Sequence, residues 1–198
     1  MIAAFFPAVV AALVDEQLAT NGLAFFGATI TAVLAYTLVS LQFVLAARFK
    51  WIERMFGAST VMRIHRSMAV VAMLLAVLHI ALLIWHRGSW ELLLFPSASW
   101  PIQLGRIAGL AMLITIGYSM GRKWIPINNA DWKFFHAVLA WTILVSGFLH
   151  SMVLGSSFAS PLFAIAWTGY FAVAIFSWLS RSPRRSRGAD NARAVKAE

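Results

Sequence analysis

Residues 63–86 decide the fold, and their sequence is RIHRSMAVVAMLLAVLHIALLIWH. A second stretch, residues 133–150, has the sequence KFFHAVLAWTILVSGFLH and repeats its main feature. Each stretch is typical of an apolar helix, and each carries two histidines that lie 14 residues apart. At 100° per residue, 14 residues return a side chain to within about 40° of its starting direction. Both histidines of a helix therefore face the same neighbour.

The histidine sets are His65 with His79 and His136 with His150. Within each helix the two histidines stand about 21 Å apart along the axis, near opposite edges of a bilayer core about 30 Å thick. Two such helices side by side predict two bis-imidazole sites, one above the other. This arrangement is the one that two b-type haems require. One turn inward from each histidine lies a small residue that leaves room for a porphyrin edge: Ala69, Ala76, Ala140 and Gly147.

The composition indicates a polytopic helical membrane protein. The 198 residues are 61% hydrophobic and 12% charged, with a mean hydropathy of +0.79, which is too apolar for a soluble domain of this size. The sequence has no cysteine. Disulfides, thiolate ligation of haem and iron–sulfur clusters are therefore excluded.

The apolar runs predict an all-α bundle of six transmembrane helices in one domain, residues 1–180, followed by a basic cytoplasmic tail, 181–198, that we expect to be disordered. The first run is short for a span, and a signal peptide is the competing interpretation, but no basic region precedes it. The predicted spans are 2–20, 23–47, 61–85, 102–120, 132–154 and 161–179.

The basic residues predict the orientation. Segments 48–66 and 122–133 and the tail hold 14 of the 16 Lys and Arg residues, and with six spans all three fall on one side. The positive-inside rule then places both termini in the cytoplasm of a bacterial-type inner membrane. The net charge of +9 is thereby explained by topology, and no nucleic-acid partner is expected. His65 and His136 become the inner pair, and His79 and His150 the outer pair.

Haem propionates need cationic partners. Arg63, Arg66 and Lys133 are placed for the inner haem, and Arg106 or Arg87 for the outer haem. The positive-inside rule alone would also explain the inner group. Arg106 is the stronger candidate, because it lies inside the start of the fourth span, where an unpaired charge is costly.

Two further features have simpler explanations. His86 lies seven residues beyond His79 and could replace it as a ligand, bond a propionate or line an external site, but the plainest interpretation is an interfacial histidine. Gly105-x-x-x-Gly109 and Gly117-x-x-x-Gly121 predict close helix packing.

A lone membrane histidine is often only an interhelical hydrogen-bonding group, whereas the repeated spacing favours haem. Zinc is disfavoured because it needs clustered ligands.

Two stretches resemble the ferric reductase-like transmembrane domain. They are LQFVLAARFKWIERMFGASTVMRIHRSMAVVAMLLAVLH (41–79) and GRKWIPINNADWKFFHAVLAWTILVSGFLH (121–150). NADPH oxidases, ferric reductases and the haem-bearing membrane subunit of the periplasmic methionine sulfoxide reductase system share this six-helix fold. The resemblance covers about residues 23–180, and it implies that the family's four haem ligands fall on His65, His79, His136 and His150.

Many relatives continue into a dehydrogenase domain that binds FAD and NAD(P)H, whereas this sequence has no glycine-rich nucleotide fingerprint. We therefore expect the cytoplasmic donor to be a separate flavoprotein, another part of a longer protein, or quinol. The resemblance implies an external acceptor: ferric iron, oxygen or a periplasmic redox protein.

Two other functions remain open at this point. A quinone-linked cytochrome b anchor of a partner oxidoreductase would be reduced by a quinol analogue without any flavoprotein. A non-redox transporter or structural subunit would be colourless when purified. The lack of acidic residues within the third to sixth predicted spans argues against a proton relay.

Overall fold

A computed structural model describes residues 21–90, 93, 98–154 and 161–180. The helix predicted at 2–20 and the basic tail at 181–198 lie outside these described residues. The described helices, in chain order, are α1 (Leu23–Ala47), α2 (Lys50–Phe56), α3 (Ala58–Arg87), α4 (Trp100–Met120), α5 (Asn129–Leu154) and α6 (Pro161–Leu179). A single 3₁₀ turn, Gly121–Lys123, follows α4.

The bounds of α1 and α6 coincide with the predicted spans, whereas α3 begins three residues before its predicted start at 61. The short helix α2 was not predicted. It arises because two residues with positive φ isolate it: Arg48 (φ 54°) ends α1 in the left-handed conformation, and Gly57 (φ 77°) separates α2 from α3. Arg48 also forms an ion pair with Glu53 of α2, which ties this corner together.

Helix α1 is the centre of the bundle. Its residues 35–40 are all buried, and it packs against α3 and α6 and touches α5. Helix α4 packs chiefly against α5. The fold therefore consists of two tightly packed helix pairs, α1 with α3 and α4 with α5, and α6 closes the far side of α1.

Two buried hydroxyls of α1, those of Thr37 and Ser40, are satisfied within the helix. Thr37 is fully buried and its Oγ1 donates to the carbonyl of Val33 at 2.9 Å, while the Ser40 hydroxyl donates to the carbonyl of Tyr36 at 3.1 Å. Such bonds to the carbonyl four residues earlier remove the cost of placing a hydroxyl in an apolar interior. These residues can therefore lie at the most buried part of the bundle.

An aromatic stack joins α6 to α1. Trp167 is 1% exposed, and its ring stacks on Tyr36 with centroids 4.5 Å apart and on Phe163 at 4.9 Å. Offset aromatic contacts of this kind add to the packing between helices. Trp167 therefore holds α6 against the central helix.

The surface of the bundle is that of a membrane protein. The stretches long and apolar enough to cross a bilayer are Leu23–Ala47, Ala58–Arg87, Trp100–Lys123 and Asn129–Leu154, and Phe163–Leu179 is a shorter apolar helix. Large apolar side chains such as Leu74 and Leu110 are exposed on their outer faces, as expected in contact with lipid. The protein is thus a multi-pass helical membrane protein, and the count of six spans stays a prediction.

Replacing Trp167 by alanine tests the aromatic stack. Trp167→Ala should lower the free energy of unfolding by about 3–5 kcal/mol, because it empties a filled space between α1 and α6. Phe176→Ala is the matched control on the same helix, since that ring is 66% exposed. Unfolding in mixed detergent, followed by circular dichroism, measures both. Equal stability of the two variants would contradict this role for Trp167.

Candidate functional site

The two histidine-bearing helices, α3 and α5, stand apart. Each packs against its own partner, α3 against α1 and α5 against α4, while the backbones of α3 and α5 barely approach each other. The gap between them is bordered by side chains of both helices. His65 and His136 face each other across this gap, and His79 and His150 lie 14 residues further along the same two helices. We name these sets the 65/136 pair and the 79/150 pair.

The rings of the 65/136 pair lie at the distance that a shared metal ion requires. Their centroids are 6.4 Å apart and their planes are inclined by 56°. With metal–nitrogen bonds of about 2.0–2.1 Å and about 1.1 Å from each nitrogen to its ring centre, two imidazoles on opposite sides of one ion have centroids about 6.3 Å apart. His65 and His136 could therefore ligate one ion from opposite sides.

A cavity of about 440 Å³ lies around this pair, and both rings line it. Its volume falls within the range of about 300–1,000 Å³ found for small-molecule and cofactor sites. Ala69 and Ala140, the small residues one turn from the two histidines, also line it, as do Phe43 and Trp141. The cavity is thus a largely apolar space between α3 and α5, with room beside each imidazole.

Two polar side chains of the cavity lack a hydrogen-bond partner among the described residues. Both amide atoms of Gln42 and the indole nitrogen of Trp132 are buried, and neither side chain finds a hydrogen-bond partner among the described residues. Both line the cavity, together with the cationic side chains of Arg48 and Lys133. Buried polar groups are normally hydrogen-bonded. These groups therefore suit a ligand that is mostly apolar but carries acceptor or anionic groups, as the propionates of a haem do.

Trp132 also supports the ring of His136. The two side chains are four residues apart on α5, and their rings stack with centroids 5.2 Å apart and planes inclined by 17°. The guanidinium of Arg122 lies 5.7 Å from the centre of the Trp132 ring. Arg122 itself donates to the Ile127 carbonyl at 3.0 Å and to Asn129 Oδ1 at 2.7 Å. The segment between α4 and α5 thus fixes Trp132 beside His136.

Backbone carbonyls orient the 79/150 pair. His79 Nδ1 lies 2.8 Å from the carbonyl oxygen of Ala28 on α1, and His150 Nδ1 lies 2.7 Å from that of Pro101 on α4. Because a carbonyl oxygen only accepts, each Nδ1 carries the proton and donates it. The lone pair of each Nε2 is then available for a metal ion, the usual arrangement around a ligating histidine.

The cationic residues predicted to bind propionates have different surroundings. Lys133 lines the cavity, whereas Arg63 and Arg66 are exposed on α3 and are not among the lining residues. Arg106 is partly buried and donates to Gln103 Oε1 at 3.2 Å. The roles of Arg63, Arg66 and Arg106 stay predictions. Arg48 lines the cavity. From the sequence it belonged only to the basic segment 48–66 that predicts the orientation.

Two other residues singled out from the sequence have identified neighbours. His86 is exposed in the last turn of α3, and its ring centroid lies 5.4 Å from that of Phe25. An exposed position at the end of an apolar helix is the one expected for an interfacial histidine. Gly147, predicted to leave room beside His150, faces the ring of Tyr36, which a β-carbon at position 147 would meet at 3.5 Å. The ring of Tyr36 on α1 therefore occupies part of the space beside Gly147.

These features define a class: a helical membrane protein with histidines at two levels of the same two helices, of which the 65/136 pair face each other across a cavity. The chain belongs to the family described as ferric reductase like transmembrane component, whose match covers residues 31–147. That match includes His65, His79 and His136 and ends three residues before His150. Membership implies an oxidoreductase role in the membrane.

Among curated proteins, the chain resembles a relative over most of the length of both chains. The chain is similar to an uncharacterized protein of Archaeoglobus fulgidus, with 29% identity over 161 residues that cover 74% of this chain and 86% of the relative. No solved structure matches the chain.

The hydrogen bonds of the 79/150 pair predict a fixed tautomer in the protein without cofactor. ¹⁵N spectra of histidine-labelled protein should show His79 and His150 protonated at Nδ1, because each donates to a backbone carbonyl. Single His→Gln variants assign the two signals. Protonation at Nε2 in either residue would contradict the hydrogen bond described here.

Proposed function

We propose that this chain is the haem-carrying membrane component of an electron-transfer system. In this proposal His65 and His136 ligate one b-type haem, and His79 and His150 ligate a second. The observation that supports it most is the 6.4 Å between the ring centroids of His65 and His136, because this distance suits two imidazoles on opposite faces of one iron. Family membership supports the redox role.

The residues of the cavity fit a haem. A bis-imidazole haem supplies an iron that gains and loses one electron and has no open position for oxygen. Ala69 and Ala140 leave space beside the ligands, and Gln42 offers an amide to a propionate. Lys133 would balance part of its negative charge, whereas the charge of Arg48 is already paired with Glu53. Trp132 keeps the ring of His136 in place.

Apolar side chains are buried between the two histidine levels. Met68 and Ala72 on α3 and Ile143 and Leu144 on α5 are buried in this layer, the last with no exposed surface. On each helix the two histidines are 14 residues apart, which corresponds to about 21 Å along the helix axis. The apolar core of a bilayer is about 30 Å thick. In this proposal, apolar side chains between the two levels make the entry of ions there costly, which favours electron transfer over ion transport.

The direction of transfer in this proposal follows from the basic residues. The positive-inside rule places the 65/136 pair toward the cytoplasm, where a flavoprotein that uses FAD and NAD(P)H, or quinol, would donate electrons. The 79/150 pair faces the opposite side, where ferric iron, oxygen or a periplasmic redox protein would accept them. Arg48 and Lys133 at the cavity would be the first side chains of this protein to meet the donor's side.

Single histidine substitutions test the proposal. His79→Ala or His150→Ala should remove one haem of two and leave the 65/136 haem, because each haem loses one of its two protein ligands. His65→Ala or His136→Ala should remove the other. Reduced-minus-oxidised spectra with pyridine haemochrome counts per chain measure this.

His86→Ala is the matched control and should retain both haems, since His86 is exposed on α3. Two haems in His79→Ala or His150→Ala would refute the pairing, and a wild-type protein without haem would refute the function.

Gln42 gives a test that separates a binding role from a packing role. Gln42→Leu keeps the size of the side chain but removes an amide that has no described protein partner. The haem-free protein should become more stable, by about 1–3 kcal/mol, because a buried unpaired polar group is lost. The 65/136 haem should nevertheless dissociate faster.

The His79→Ala background isolates this haem for the measurement, and haem transfer to apomyoglobin gives its dissociation rate. An unchanged dissociation rate in Gln42→Leu would show that the amide does not contact the haem.

A further inference from the structure

The two glycines of Gly105-x-x-x-Gly109 have different surroundings. A β-carbon at position 105 would lie 2.6 Å from Cε1 and 2.7 Å from Nδ1 of His150, closer than any ordinary contact. A β-carbon at position 109 would meet nothing within 4 Å. The prediction that both glycines serve close helix packing is therefore too simple. At Gly105 the close neighbour is the imidazole of one predicted ligand.

The same ring donates its Nδ1 proton to the Pro101 carbonyl, at 2.7 Å. Pro101 lies four residues before Gly105, one helical turn away on α4. In an α-helix the Cα–Cβ bond points toward the N-terminus, so a side chain covers the turn that precedes it. A side chain at position 105 would lie over the Pro101 carbonyl. His150 can reach this oxygen because Gly105 has no side chain to cover it.

We propose that Gly105 is a positioning residue for His150. Its bare backbone provides the surface against which the imidazole lies, and it leaves the Pro101 carbonyl open to Nδ1. Together these two contacts set the plane of the ring and direct Nε2 toward the 79/150 site. The inference rests on the proposed haem ligation by His150, and it adds the residue that orients this ligand.

A methyl group at position 105 would displace the ring. The ring would have to retreat by about 0.9 Å to reach an ordinary contact of about 3.5 Å, and the methyl group would stand beside the Pro101 carbonyl. The partner of a ligating histidine's second nitrogen governs the orientation and basicity of the ligand, and its loss typically lowers metal affinity about 10–100-fold. The effect should be confined to the 79/150 haem.

The experiment compares Gly105→Ala with Gly109→Ala in the full-length, haem-loaded protein. Both variants add one methyl group to the same face of α4, four residues apart. In Gly105→Ala the 79/150 haem should dissociate at least about tenfold faster, and its low-spin EPR signal should shift. The 65/136 haem should be unchanged, and Gly109→Ala should match the wild type in both haems. EPR and haem transfer to apomyoglobin provide readouts that do not depend on activity.

A measurement on the wild-type protein does not depend on how a variant folds. In the reduced, diamagnetic protein, NMR should detect a through-space contact between the Gly105 α-protons and the Cε1 proton of His150. Lack of that contact, or a Gly105→Ala variant whose 79/150 haem keeps its EPR signal and dissociation rate, would overturn the role of Gly105 while the haem proposal stands. A wild-type protein with no haem at the 79/150 site would overturn the haem proposal itself.

Discussion

The separation between α3 and α5 is the constraint on which the rest of the structure depends. If these helices packed directly, their histidines would meet side by side and no cofactor could enter between them. Helix α1 holds α3 on one side and α4 holds α5 on the other, so that the imidazoles of His65 and His136 stop with centroids 6.4 Å apart. The burial of α1 thus bears on the proposed function: a helix without a proposed ligand helps to set the spacing of the two helices that carry the proposed ligands.

The periodicity of the sequence was sufficient to predict that His65 and His136 lie near each other. A spacing of 14 residues is close to a whole number of helical turns, and the apolar runs defined α1 and α6 to the residue. The short helix α2 escaped prediction because it depends on Arg48 adopting a positive φ, which an arginine seldom does. Local sequence carries no reliable signal for such a turn.

The supporting residues of the site were harder to find, for physical reasons that differ. Trp132 lies four residues before His136, so the helical spacing could have revealed their stacking. Gln42 lines the cavity and Gly105 lies against His150 because of how distant segments pack, and no local pattern distinguishes these two residues from others of apolar helices. The role of the Ala28 and Pro101 backbone carbonyls as acceptors cannot be predicted from side-chain identity, since every residue has a backbone carbonyl.

The same kind of ligand is held in two unlike ways. Around the 65/136 pair, side chains supply the support: an indole, an amide and two cations. Around the 79/150 pair, the main chain supplies it. A carbonyl oxygen has no side chain to substitute and no proton to gain or lose in the physiological range. Sequence drift at positions 28 and 101 therefore leaves the acceptors in place, provided that the helices keep their course. The orientation of the 79/150 pair therefore depends on the path of two helix backbones and not on the identity of the residues at positions 28 and 101.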